Sequence, residues 1–328
     1  MKHLICSAAL AVGLVTPALA AEEMRCSHQL PPGHHIAKVI DQWAAEIETL
    51  SNGEIDVQVF GANSLVGPRE NIVSVAKGNI ECAFSINPQW GKTLPLMNVT
   101  LKPYAVTDLD TLAAWPGSDA AAFLNEKLLE KGVHNAVWLF TTRMTTITSN
   151  GAPLINPADF EGVKIRGLNP VADSFLVAMG AAPSAMSGSK VYEALSTGVI
   201  DAGMTDVAAA YSRKYFEVQE HANVMPLFSV FFHGYLNPEW YNGLSDGQKS
   251  AIDMAGAKAA EWAVAASEEA SGAAPDQLVE KGMKVHIQTA EEQAEWQALM
   301  GPAFDKSFGD ATGEDGVKLL ELVNGVSG

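Results

Sequence analysis

The sequence lacks most of the patterns that commit a chain to catalysis. Its 328 residues include only three cysteines and eight histidines. No HExxH, CxxC, GxSxG, phosphate loop or dinucleotide fingerprint occurs. No metal site and no cofactor is therefore expected, and no nucleophile stands beside a base to nominate an enzyme. The histidines are scattered except for His34 and His35, which precede an apolar periodic run and read as loop or helix-capping residues. Positive charge is scarce as well: 21 Lys and Arg against 38 Asp and Glu leave a formal net charge of −17. Such a chain is a poor partner for nucleic acid or anionic lipid. An anionic small molecule stays open, because one local arginine site overrides the average field.

Long hydrophobic runs are missing beyond the first twenty residues, "MKHLICSAALAVGLVTPALA". A short basic start, an apolar stretch too short to span a bilayer and a small-residue site form a secretory signal peptide. Cleavage near Ala20 would release the chain into the periplasm with no membrane insertion of its own. Two cysteines follow that point. Cys26 and Cys82 fall on what read as neighbouring parallel strands, a poor geometry for a bridge, so two buried thiols are expected.

What is present is α/β grammar. "EEMRCSHQL" reads as a strand, and Ile36, Val39, Ile40, Trp43 and Ile47 follow at helical spacing. "EIDVQVF" alternates as a strand, a helix opens near Pro68 and ends at Gly78, and "NIECAFS" is a third strand. This βαβαβ order predicts a parallel sheet. The second half repeats the plan: "VAKGNIECAF" pairs with "LSTGVIDAGM", setting Gly78 against Gly198. About three hundred residues exceed one core, so two lobes are predicted. Capping boxes at Ser245–Gln248 and Thr289–Glu292 open two helices. The first, alanine-rich, spans some twenty-five residues, on the order of 37 Å, long enough to brace both lobes.

In parallel α/β sheets ligands bind beyond the carboxyl ends of strands. Arg166 stands there, last in "GVKIR", as a fork of donors suited to a carboxylate. The competing role is a structural ion pair. Arg143, in "FTTRMTTITSN", is a second candidate, either sharing one carboxylate or taking the other end of a diacid.

"GVKIRGLNPVADSFLVAMGAAPSAMSGSKVYEALSTGVIDAG" resembles the signature region of the periplasmic substrate-binding subunits of TRAP (tripartite ATP-independent periplasmic) transporters, dicarboxylate-receptor type. Lys190, Ser196 and Ala202 depart from that pattern, where the family has Glu, Gln and Gly. The similarity reaches "SNGEIDVQVFGANSLVGPREN", "YSRKYFEVQEHAN" and "WYNGLSDGQKSAID", nearly the whole mature chain.

The resemblance implies a two-lobed periplasmic binding protein fold, with a ligand cleft between lobes and a long helix spanning both. Residues 21–142 with 232–272 would form lobe I, and 143–231 with 273–328 lobe II. It implies a monomer that captures a small organic carboxylate for TRAP membrane permease subunits. Arg166 would hold the acid and Arg143 assist, with Gln29, Gln89 and Thr205 as polar contacts. Trp90 and Trp240 are candidate aromatic walls, and Asp206 a cleft residue or helix cap. Ile86 disfavours sialic acid and, with Trp90, tilts the ligand towards a monocarboxylate with an apolar body. Gly188 stands where some members carry a bulky aromatic, implying a roomier cleft. An ABC-type binding protein, a periplasmic enzyme on an organic acid and a receptor feeding a sensor kinase are the rivals.

Overall fold

Two short helices end in the same way, and the resemblance between the halves of the sequence starts there. The computed structural model describes residues 21–326; the expected signal peptide lies outside the described residues. Gly78 and Gly198 adopt φ of +70° and +69°. Each follows a six-residue helix and turns the chain towards a strand. Only glycine takes this left-handed conformation without cost. The Gly78–Gly198 pairing read from the sequence is therefore a shared turn.

The strands are β1 (Glu22–Ser27), β2 (Ile55–Phe60), β3 (Cys82–Ile86), β4 (His134–Thr142), β5 (Thr145–Ser149), β6 (Lys164–Gly167), β7 (Ala182–Ala185), β8 (Gly203–Asp206), β9 (His221–Met225), β10 (Val230–Leu236) and β11 (Lys284–Ile287). The helices are α1 (His35–Leu50), α2 (Asn71–Ala76), α3 (Leu109–Ala114), α4 (Asp119–Glu130), α5 (Pro170–Ala178), α6 (Val191–Ser196), α7 (Val207–Ser212), α8 (Pro238–Gly243), α9 (Asp246–Glu280) and α10 (Ala290–Asn324).

One sheet has the order β2-β1-β3-β10-β4. The predicted β1, β2 and β3 are parallel, but β10 runs antiparallel between β3 and β4. The chain leaves this lobe along β4 and returns along β10, so the return strand opposes its neighbours. The second lobe contains β11-β9-β5-β8 and the parallel pair β6-β7, joined by a bridge between Ile165 and Ala202.

Cys26 and Cys82 form a disulfide, which corrects the expectation of free thiols. They are direct register partners on β1 and β3, with Cα atoms 4.4 Å apart. That separation lies at the short end of the range a bridge spans. Aligned register across the pair is what the sequence did not reveal.

Both capping boxes form. Ser245 Oγ accepts from Gln248 N at 3.2 Å, and Thr289 Oγ1 from Glu292 N at 3.3 Å. Helix α9 has 35 residues, ten more than expected, and extends about 52 Å at 1.5 Å per residue. Its buried stripe is mostly small, alanines with Gly256 and two serines, and carries Ile252 and Leu278 towards its ends. Small side chains let it lie against α1 and β4 of one lobe and α7 and β11 of the other. A Cβ on Gly256 would sit 2.8 Å from the Ala136 carbonyl, so that crossing is too close for a side chain.

Candidate functional site

Arg166 lies on β6, flanked by buried Ile165 and Gly167, and is 4% exposed. Its Nη1 donates to the Met204 carbonyl at 2.7 Å and its Nε to the Met186 carbonyl at 3.4 Å. Among the described residues no carboxylate oxygen lies within 4.0 Å of it, whereas Arg25 meets Glu81 and Arg143 meets Glu268. Burial without a close counter-charge pulls the guanidinium down to about 10; Tyr215 opposes this and Arg213 adds to it. Arg166 is therefore charged at neutral pH and paired only with neutral carbonyls.

Arg213, which sequence reading passed over, stands beside it. It follows α7, and its Nη1 donates to Thr205 Oγ1 at 3.2 Å while its Nε lacks a partner. Gly188 makes room for this side chain: a Cβ there would lie 2.8 Å from Arg213 Nη1. The space expected to widen the cleft at Gly188 is thus filled by a second guanidinium. The one available signal was that unexplained glycine, and nothing local linked it to an arginine 25 positions on.

Arg166 and Arg213 border a cavity of about 50 Å³ between the lobes. Leu30, Ile86, Leu168, Phe228, Val230 and Phe232 make its apolar walls. The candidates Gln29, Thr205 and Asp206 line it, together with Thr141 and His34. Asp206 forms the expected helix cap: Oδ1 accepts from Ala208 N at 2.9 Å and caps α7, while Oδ2 has no hydrogen-bond partner. Burial raises its pKa, with the His35 ring and the Ala208 amide opposing.

Gln89 lies outside this cavity, on the outer cleft that Arg166 also borders. Its Oε1 accepts from Ile86 N at 3.2 Å. Three candidates are elsewhere. Arg143 is engaged by Glu268 of α9 at 2.8 Å and by the Thr107 carbonyl at 3.1 Å. Trp90 is fully buried and packs edge-on against Tyr235, ring centres 5.3 Å apart. Trp240, on α8, packs against the core beneath the first sheet.

The lobes touch across the cleft. Asn169 caps α5 and donates to the Pro88 carbonyl at 2.9 Å and to Asn98 Oδ1 at 2.7 Å. Arg69 reaches the Ala185 carbonyl at 2.8 Å. At the rear, His34, His35 and Asp206 bring ligating atoms within 4.8 Å of one another. His34 Nδ1 accepts from Ile36 N at 3.2 Å, which caps α1 and puts the ring proton on Nε2. His35 Nε2 lies 3.2 Å from the Thr141 carbonyl and donates to it. Assigned in this way, the rings form a hydrogen-bonding set, because His34 has no lone pair left for a cation.

Residues 26–310 match the family model described as DctP, bacterial extracellular solute-binding protein, family 7. The C4-dicarboxylate-binding periplasmic protein DctP of Rhodobacter capsulatus is 29% identical over 316 residues, 92% of each chain. An extracytoplasmic solute receptor of Bordetella pertussis binding pyroglutamic acid superposes with a TM-score of 0.85 at 20% identity, covering 93% of this chain and 100% of that one. A TRAP periplasmic solute binding protein of Sulfurospirillum deleyianum with bound succinate gives a TM-score of 0.83 at 24% identity, covering 94% and 100%.

Proposed function

This chain belongs to family 7 of the bacterial extracellular solute-binding proteins, and from that premise we propose that it captures a small organic carboxylate between its lobes and delivers it to a TRAP-type membrane permease. One observation carries the reading at the level of residues. Arg166 is buried, charged and without a carboxylate partner among the described residues. A buried cation without a counter-ion is costly, and a ligand carboxylate offsets that cost. Arg213 supplies a second guanidinium at the same wall, and Thr205, Gln29 and Asp206 supply polar contacts. Gln89 borders the outer cleft that leads to Arg166.

The protein works as a receptor, without turnover, in the periplasm. No helix among the described residues is long and apolar enough to cross a membrane. The family favours a TRAP permease over an ABC-type transporter or an enzyme on an organic acid. The chain crosses between the two sheets where β4 passes into β5 and where β9 passes into β10. Opening about these crossings would admit the ligand, and closure would bring Asn169 back onto Pro88 and Asn98.

A thermal-shift screen over organic acids tests this. An acid that binds the folded protein raises its melting temperature with the logarithm of concentration. A hit confirmed by calorimetry and lost in Arg166→Met supports the reading. A hit retained in that variant refutes the role of Arg166.

A further inference from the structure

The cavity has polar groups that a carboxylate head cannot satisfy. Gln29 Oε1 and Asp206 Oδ2 are each buried without a hydrogen-bond partner, and both residues line the same space as Arg166 and Arg213; the Thr141 hydroxyl, also unpartnered there, can donate to a carboxylate and does not discriminate. Gln29 is 3% exposed, Thr141 5%, and the Asp206 side chain 6%. Gln29 and Thr141 come from the first lobe and Asp206 from the second. Asp206 is held in place by its cap on α7, so its carboxylate is not free to turn towards water. The nearest ring donor, His34 Nε2, is 3.9 Å from that oxygen, beyond hydrogen-bond range.

A buried acceptor without a donor costs free energy, so a bound molecule that supplies donors is favoured over one that does not. A second carboxylate supplies none at neutral pH, and its oxygens would face these acceptors. The enclosed space is small, about 50 Å³, and favours a short molecule. Resting on the carboxylate reading above, we propose that the ligand is a short carboxylic acid bearing a hydroxyl or N–H donor, which Gln29 and Asp206 accept, and that dicarboxylates are selected against. The donor ties the two lobes together through the ligand, as Asn169 does through protein groups alone.

Calorimetry on the ligand-free protein tests this with matched acids: 2-hydroxybutyrate against butyrate, pyroglutamate against cyclopentanecarboxylate, and succinate. The donor-bearing acid of at least one pair should bind at least about tenfold tighter than its donor-free match, with succinate weaker than that acid. Asp206→Asn keeps the helix cap and should narrow the gap to succinate by about tenfold; Gln29→Leu should narrow the gap within the pair. Equal binding within both pairs, or succinate binding tightest, with Arg166→Met abolishing either, would overturn the donor class and leave the carboxylate reading standing. Binding that survives Arg166→Met would overturn the carboxylate reading itself. Absence of binding by all five acids also overturns the class as drawn.

Discussion

Arg166→Met should separate affinity from stability, because the two depend on this side chain with opposite sign. In the ligand-free protein the guanidinium is desolvated, and its pKa falls from 12.5 to about 10. At about 1.4 kcal/mol per unit that corresponds to a penalty of roughly 3 kcal/mol. The penalty is present in full below about pH 10, where the group is protonated in both folded and unfolded chains. Methionine of similar length removes it but leaves the Met204 carbonyl without its 2.7 Å donor, a loss of about 1–3 kcal/mol. The terms nearly cancel, so the melting temperature of the ligand-free variant should stay within a few degrees of the parent. Binding should collapse. A ligand carboxylate left buried without its partner loses about 3–5 kcal/mol, or two to three and a half decades of affinity. The assay is calorimetry with the acid that gives the largest thermal shift in the parent, beside scanning calorimetry of both ligand-free proteins. A variant that unfolds many degrees early while keeping its affinity would show that Arg166 is a structural residue, and the argument from its missing counter-ion would fail.

Arg143→Ala should change affinity by less than about threefold, since its guanidinium is engaged by Glu268; its partly exposed pair should contribute no more than about 1 kcal/mol to stability, read from urea midpoints. Alkylation without reductant should label neither Cys26 nor Cys82, and Cys26→Ser should cost about 4 kcal/mol by the loop-entropy estimate for a bridge closing 56 residues. Acid should destabilise the fold steeply. Burial lowers His28 to about 4 and His233 to about 3, and His34 also falls well below 6.5. Below pH 6.5 the unfolded chain binds protons that the folded chain refuses, so stability is present above that pH and lost as pH falls. Each histidine contributes a slope of up to about 1.4 kcal/mol per pH unit. Asp173, raised to about 6 by burial, opposes them with one such slope between about pH 6 and 4. Urea midpoints should drop between pH 6 and 4, and His233→Gln should flatten the drop; an unchanged slope in that variant would refute the assignment.

The local elements were legible because their causes are local. Gly78 and Gly198 end helices through a backbone conformation that needs no distant partner. The boxes at Ser245 and Thr289 are closed by residues three positions on. His34 caps α1 from the adjoining turn. Arg166 was found by its place at a strand end, and Gln29, Thr205 and Asp206 by their place after strands or within the matching motif. The misses all depended on distance. The antiparallel run of β10 follows from where the chain re-enters the first lobe. The disulfide needed the register of β1 on β3, in which one residue of slip would separate the sulfurs.

Arg143 and Arg213 mark the division most sharply. Both are arginines near a strand or helix end, and sequence alone favoured the first. Only the folded chain sets Glu268 of α9 against Arg143 and clears Gly188 away from Arg213. Periodicity, caps and motif order are short-range properties, and they determined the two-lobed plan and the place of Arg166 at a strand end. Whether a charge is left without a counter-charge is a property of packing between segments 25 to 125 residues apart, and the tertiary structure decided it.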